Sequence, residues 1–527
     1  MIGAGSNDRR ARFDPGELGH PAAVVLAGGV AMAALVARFF VPSALWMDEA
    51  LSVNIAKLPL GQITDALRHD GHPPLYYLLL HGWMSIFGEG DRAVRALSGL
   101  ISLLALPLAY RVGRRVGGDD HGPRLGAMTV IVLASSPFFL RYGSETRMYS
   151  LLIVLVFAGH LLVFESLESP RVHRLVGVAA VTGALLWTHY WSMWFLLAVG
   201  LLVAGRAWRS RRTTGDWDRP TLAVLVAMGA GAATFLPWVT TLAYQAAHTG
   251  TPWAKPFRPA TLVIGSVTDF AGGTYSGAQV LMLFTVILVT LGIFGRGLDA
   301  WHVELDFHTQ PESRVPATVM ITTMAVASLA GLITGSAFTP RYAAVFFPFF
   351  VLLVALGLDH FRGAIIRNVA LVVFILLSAA SLASVFHQSR TQAREVADAI
   401  VADLGGGGGA LAATCPDQLG PAVRREVPQS IEVTTYPRFD PPERVDWVDY
   451  RERNLHNDPA AFAAELSTRA GTRTIYLVLN NSYLTLGNQC AEVLSNLARS
   501  RSPRLVVAGD ADNHLEPMTL YALEPRP

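Results

Sequence analysis

The sequence predicts a polytopic α-helical membrane protein that carries a small extracytoplasmic α/β domain at its C-terminal end. Three observations lead there. Hydrophobic residues make up 52% of the chain and charged residues only 16%, too apolar for a soluble chain of 527 residues. The apolar residues come in blocks, continuous or nearly so, such as Leu151 to Ala158, Val176 to Leu186 and Leu371 to Ala380. Segments apolar on every face have lipid as their solvent. From about residue 387 charges become frequent and the long apolar runs stop.

About eleven spans are expected, at 21–41, 95–112, 125–140, 149–166, 174–189, 191–205, 221–243, 277–295, 317–337, 342–359 and 368–386. This divides the chain into a tail (1–20), a membrane domain (21–386) and an outer domain (387–527). Spans 125–140 and 191–205 are short and should tilt little or extend into their loops. The connections at 111–124, 166–174 and 206–220 are rich in arginine, and the tail adds Arg9, Arg10 and Arg12. By the positive-inside rule these are cytoplasmic. An odd number of spans then puts the C-terminal domain outside, in a multi-pass protein of the plasma membrane. The first apolar run is longer than a signal-peptide core and lacks a small-x-small cleavage site, so it is read as a span. Arg38 near its end is expected to snorkel to the interface.

Loop 42–94 is long and holds amphipathic stretches at 50–67 and 75–87, both read as helices lying along the membrane surface. Pro73-Pro74 suits the first turn of the second. Unexpected polar residues gather on this outer side. Asp48 and Glu49 follow the first span, and His72 precedes Pro73-Pro74-Leu75-Tyr76-Tyr77. Arg141, Glu145 and Arg147 share one short loop, and His189-Tyr190 lies between two spans. Lys255, Arg258 and Asp269 lie in loop 244–276, and Arg341-Tyr342 opens a late span. Each has an ordinary reading: an acidic pair at a helix start, a turn histidine, an interfacial packing histidine, a lipid-anchoring arginine, a Glu145–Arg147 ion pair. Their predicted location on one side argues for a shared site.

In the outer domain, Thr474–Leu479 and Arg504–Ala508 read as strands flanking a helix at 489–499, and Ala410–Thr414 as a further strand. The run Gly405–Gly409 lacks the preceding strand and Lys-Ser/Thr ending of a phosphate loop and is read as a flexible linker opening the domain. Cys415 and Cys490 are the only cysteines. One disulfide is favoured over two buried free thiols, because the topology puts both outside. Such a bond would contribute about 4 kcal/mol by loop entropy. Near-neutral charge and the lack of a basic aromatic stripe give no sign of nucleic acid.

The order Trp46-Met47-Asp48-Glu49, His72-Pro73-Pro74-Leu75-Tyr76-Tyr77, Phe87-Gly88 and Arg95 resembles GT-C glycosyltransferases. The group it is similar to contains the dolichyl-phosphate-mannose protein mannosyltransferases and the bacterial lipid A aminoarabinose transferase. Ser144–Tyr149, Thr188-His189-Tyr190 and Pro340-Arg341-Tyr342 resemble later motifs of that family, so the resemblance covers about residues 20–360. The C-terminal domain is similar to one carried by actinobacterial members, and no chemistry is assigned to it.

The resemblance implies a GT-C fold and an inverting enzyme that moves a sugar from a polyprenyl-phosphate donor to a cell-envelope glycan, glycolipid or protein. Mannose and arabinofuranose are the favoured sugars. Asp48 takes the family's role of catalytic base. Glu49, His72, Tyr76, Glu145, His189 and Tyr190 are implied substrate-binding residues. Arg341, Arg147, Arg141, Lys255, Arg258 and Tyr342 are the implied binders of donor phosphate. No cofactor is required. A divalent metal on Asp48, Glu145 and the histidines is the less favoured alternative, since cationic side chains suffice for a monophosphate. A transporter or flippase of lipid-linked sugars is the alternative function, against which stand the lack of an internal repeat and the position of the charges at span ends.

Overall fold

The protein is described by a computed structural model, which describes residues 21–249, 258–273, 276–334, 338–405, 409–480, 483 and 485–526. The membrane domain opens with α1 (Pro21–Ala37). A layer of short helices follows: α2 (Met47–Ala56), α3 (Leu60–Asp70) and α4 (Leu75–Phe87). The bundle continues with α5 (Asp91–Val116), α6 (Gly118–Ala134), α7 (Pro137–Gly143), α8 (Tyr149–Glu168), α9 (Val172–Thr188) and α10 (Ser192–Thr214). It is completed by α11 (Arg219–Ala233), α12 (Val239–His248), α13 (Pro259–Phe270), α14 (Ser276–Phe294), α15 (Arg314–Thr334), α16 (Phe347–Asp359) and α17 (Ala364–His387).

Among the described residues, six helices are long and apolar enough to cross a membrane, or seven if the bent pair α6–α7 counts as one span. Length and composition therefore do not by themselves reach the expected eleven. Three of the expected spans, 21–41, 174–189 and 342–359, correspond to shorter apolar helices. The last is short for a reason: Phe347 to Leu358 of α16 are all buried, so protein and not lipid surrounds it. Expected span 125–140 is broken, with α6 and α7 meeting at 62°. Pro137 restarts the helix, and Ser136 caps it by accepting the Phe139 N–H. The surface stretch 50–67 is likewise two helices, separated at Pro59, which has no N–H to continue α2. The stretch 75–87 is the single helix α4. Arg38 does not snorkel. It is fully buried, donates to Ser102, and lies 4.7 Å from the Phe139 ring centre.

The C-terminal region contains strands β3 (Ser389–Thr391), β4 (Ala410–Cys415), β5 (Glu432–Thr435), β6 (Thr474–Leu479), β7 (Arg501–Val507), β8 (His514–Glu516) and β9 (Thr519–Pro525), after a short β1–β2 hairpin (Gly295–Gly297, Val303–Leu305) between α14 and α15. Five strands form one mixed sheet in the order β5-β4-β6-β9-β7, and β3 pairs with β8 in parallel. Helices α18 (Ala393–Leu404) and α19 (Gly420–Glu426) cover one face; α21 (Pro459–Ala470) and α22 (Gln489–Ser500) cover the other, with a single turn α20 (Tyr450–Arg453) between. Strand β4 shows why: Ala410 and Ala412 join the first core, while Leu411, Ala413 and Cys415 join the second. Cys415 and Cys490 are disulfide-bonded, tying the end of β4 to the first turn of α22. The glycine run does not open the domain, since β3 and α18 precede it. Its residues 406–408 lie outside the described residues.

This region docks on the α2–α4 layer. Trp46 and Met47 pack against Val445, Trp447 and Tyr450. Arg394 and Arg425 both pair with Asp91, and Asn54 donates to the Glu443 carbonyl.

Candidate active site

The first turn of α2 carries Asp48 and Glu49, and both are buried. Their partners differ. Glu49 is clamped by Arg95 of α5 through two bonds of 2.8 and 2.6 Å, by Arg390 of β3 at 2.9 Å, and by the Thr146 amide at 3.0 Å. Burial alone would raise the Glu49 carboxyl, but Arg95 and Arg390 outweigh it and hold the group down to about 2. Asp48 instead meets Arg341 at 2.9 Å. Arg341 rides on a 3₁₀ turn, Pro340–Val345, with its guanidinium against Trp46.

A second network stands beside this pair. Arg147 donates to His72 Nε2 at 2.9 Å and to Ser52 Oγ at 3.0 Å. A guanidinium can only donate, so Nε2 accepts and His72 Nδ1 donates to Asp70, 2.9 Å away. Tyr77 also donates to Asp70 at 3.1 Å. Burial would push the Asp70 carboxyl up; the contacts with His72, Arg147 and Tyr77 reverse this and lower it. His189 packs its ring 5.0 Å from Tyr342 and accepts the Trp191 N–H. Burial, with His72, Arg147 and Arg341 nearby, holds it well below its ordinary value, which keeps the imidazole neutral.

Glu145 is buried, and its Oε1 has no hydrogen-bond partner among the described residues. Burial raises its carboxyl, and Glu49 and Asp48 add to the effect against Arg390 and Arg141. The expected Glu145–Arg147 ion pair does not form, because Arg147 turns to His72, Ser52 and Tyr77. The Tyr149 hydroxyl is also buried without a hydrogen-bond partner, within electrostatic reach of Arg341 and Arg147. Buried polar atoms of this kind are ordinarily hydrogen-bonded, so Glu145, near Arg390 and Arg141, and Tyr149 are each open to a ligand's polar group.

The structure thus brings together Asp48, Glu49, His72, Glu145, Arg147, His189, Arg341 and Tyr342. Arg141 stands at the edge, near Asp269 and Glu145. Other expected residues fall elsewhere. Tyr76 is fully buried beneath the site, sharing a hydrogen bond with Ser98. Tyr190 joins a structural chain, accepting from Trp238 and donating to Gln245, whose amide reaches the Leu67 carbonyl. Arg258 is exposed at the start of α13. Lys255 lies outside the described residues. Among the described residues no group of three or more His, Cys, Asp or Glu is placed to hold a metal ion. Asp70, two residues before His72, and Tyr149, the last residue of the Ser144–Tyr149 motif, were not among the expected site residues. Arg390 had no signal beyond lying at the change in composition.

An apolar cavity of about 450 Å³ lies between α8, α9, α10, α11 and α15. It is lined from Phe195 to Arg209 along α10, about 21 Å at helical rise. Leu185 and Phe195 mark the end that lies next to His189 and Trp191 in the chain.

Residues 71–239 match the family model described as dolichyl-phosphate-mannose-protein mannosyltransferase, a stretch that includes His72–Tyr77, Ser144–Tyr149 and Thr188–Tyr190. The fold is similar to that of ArnT from Cupriavidus metallidurans. The structure of ArnT bound to undecaprenyl phosphate aligns at TM-score 0.54 and 12% identity, covering 95% of this chain and 97% of that one. Its apo state aligns at 0.56, with the same identity and coverage. No curated protein matches the chain in sequence.

Proposed function

We propose that this protein is an inverting glycosyltransferase that takes a sugar from a polyprenyl-phosphate donor and transfers it to a hydroxyl of a cell-envelope glycan, glycolipid or protein. Mannose and arabinofuranose are the sugars favoured. The observation that carries the reading is the 2.9 Å pairing of Asp48 with Arg341, a carboxylate beside a phosphate-binding cation at the end of the bundle. The outer face of the plasma membrane is the expected place of reaction, with the N-terminus cytoplasmic and the C-terminal domain outside.

On this reading the donor phosphate lies against Arg341 and Arg147 and takes a hydrogen bond from the Tyr149 hydroxyl. The apolar cavity supplies room for part of the lipid tail. Arrival of the phosphate exchanges the partner of Arg341, and Asp48 is released to accept a proton. The acceptor O–H bond then breaks toward Asp48 while the oxygen bonds to the anomeric carbon. The bond from that carbon to the phosphate oxygen breaks, and the polyprenyl phosphate leaves stabilised by the two arginines. A single displacement inverts the anomeric carbon. Glu145 faces the same space and can hold an acceptor or sugar hydroxyl. Glu49 is fully committed to Arg95 and Arg390 and acts by fixing the loop.

The test is transfer of radiolabelled sugar from polyprenyl-phosphate mannose or arabinofuranose to a cell-wall extract. The purified wild type should transfer, and Asp48→Asn should lose on the order of 10²- to 10⁴-fold, the usual contribution of a general base. Transfer unchanged in Asp48→Asn sinks the base assignment.

A further inference from the structure

We infer that the C-terminal domain is part of the catalytic centre, with Glu516 acting as a positioning residue that sets Asp48 through the first turn of α2. The inference rests on the proposed role of Asp48. Glu516 ends β8 and stands in parallel register with Thr391 of β3. Its carboxylate accepts from Thr391 Oγ1 at 2.6 Å and from the Tyr483 hydroxyl at 2.9 Å, and it lies within electrostatic reach of the Met47 backbone N–H and of Asp48. Met47 is the first residue of α2 and Asp48 the second. Trp46, at the cap position, offers no side-chain bond to the helix. The open N–H groups of a helix start favour a carboxylate, and here the outer domain supplies one.

Two further contacts fix the same segment from the same domain. Arg390 bonds Glu49 and also the Ser144 carbonyl and hydroxyl, at 3.0 and 2.7 Å, so one guanidinium joins α2 to the loop that carries Glu145 and Arg147. Val445, Trp447 and Tyr450 pack on Met47. Helix α2 is thus held from the bundle side by Arg95 and from the other side by residues that lie more than 300 positions later.

The titratable groups facing Glu516 are Asp48 from α2 and Tyr483 from the segment after β6; His514 lies on its own strand, near Asp510. Burial pushes the Glu516 carboxyl up to about 7, and the Asp48 charge adds to this, against the bonds from Thr391 and Tyr483. An ionised Glu516 makes the helix start a better anchor.

The experiment pairs kinetics with amide exchange in the full-length protein. Glu516→Gln should lower kcat about tenfold with the donor KM within about twofold, the pattern of a misplaced base. It should also remove an ionisation from the kcat profile across about pH 6 to 8. Tyr483→Phe, which deletes one bond to the charged form, should shift that ionisation to higher pH. Glu516→Ala should speed hydrogen–deuterium exchange in the peptide spanning residues 46–50. If kcat, the pH profile and exchange all match wild type, the inference is overturned. A wild type that transfers no sugar would sink the proposed function alone, because exchange at the start of α2 still decides whether Glu516 holds it.

Discussion

An ionised carboxylate shut away from water is tolerated only when other groups replace its hydration. At Glu49 two guanidinium groups and one amide do so, and this fixes what its substitution should cost. Glu49→Gln leaves two buried arginines facing a neutral amide and should destabilise the protein by about 3–5 kcal/mol. A thermal melt in detergent reads this. Because the Glu49 carboxyl is lower in the folded protein than in the unfolded chain, its stabilisation is complete above the ordinary value of 4.5 and is lost as pH falls toward about 2. Wild type should therefore lose melting temperature over that acid range more steeply than Glu49→Gln. Arg341→Ala acts differently, removing the guanidinium that pairs with Asp48 and, on the proposed function, the first cation for the donor phosphate. Donor KM should rise by about tenfold or more, the equivalent of one charge-assisted bond; an unchanged donor affinity would remove Arg341 from the site. Asp48, His72, Arg147, His189, Arg341 and Tyr342 were legible because each sits at the end of an apolar run on one predicted side. Tyr76 and Tyr190 were misread because the direction of a tyrosine hydroxyl depends on which neighbour offers a partner, Ser98 in one case and Trp238 with Gln245 in the other.

Helices in lipid have no hydrophobic drive to associate and approach closely through small residues. In the α14–α16 contact a side chain on Gly357 would place its first carbon 2.0 Å from the Leu288 carbonyl oxygen, and one on Gly292 would meet Leu353 just as closely. Gly357→Ala should cost about 1–3 kcal/mol by overpacking. Gly229→Ala in α11, where a methyl meets nothing within 4 Å, should leave the melting temperature unchanged or slightly raised. Equal melting of the two variants would contradict this packing. At this scale apolar runs located helices well, since α4, α5, α8 and α9 fall close to their expected positions. They located breaks poorly. Hydropathy does not register Pro59 or Pro137, which remove a single N–H without making the segment less apolar. Strands β4, β6 and β7 were legible from their β-branched and aliphatic content. Strands β3 and β8 were not, being three residues each and defined by their pairing.

The whole molecule is two bodies sharing one set of buried charges. The C-terminal sheet region is tied internally by Cys415–Cys490 and to the helices by ion pairs to Asp91, by the apolar patch on Met47, and by Arg390. Non-reducing mass spectrometry should find the disulfide in the purified protein. Cys415→Ser should lower the melting temperature of the outer domain, with a loss of about 4 kcal/mol expected from a closed loop of this length. Two free thiols in freshly purified protein would contradict the pairing. The resemblance covering residues 20–360 assigned no chemistry to this domain, and its sequence carries no motif to suggest otherwise. Its relevance to the site comes only from docking, which apolar patterning within one segment cannot reveal.

The sharing of Glu49 between Arg95 and Arg390 sets an order of assembly. The second arginine is synthesised 341 residues after the glutamate. At ordinary translation rates that interval is roughly 20 to 70 s. Through that time a nascent chain has only the first half of the clamp, and the helix start that carries Asp48 and Glu49 is held from the Arg95 side alone. A chain that stops before Arg390 would carry the bundle helices α1–α17 with the Glu49 clamp half built.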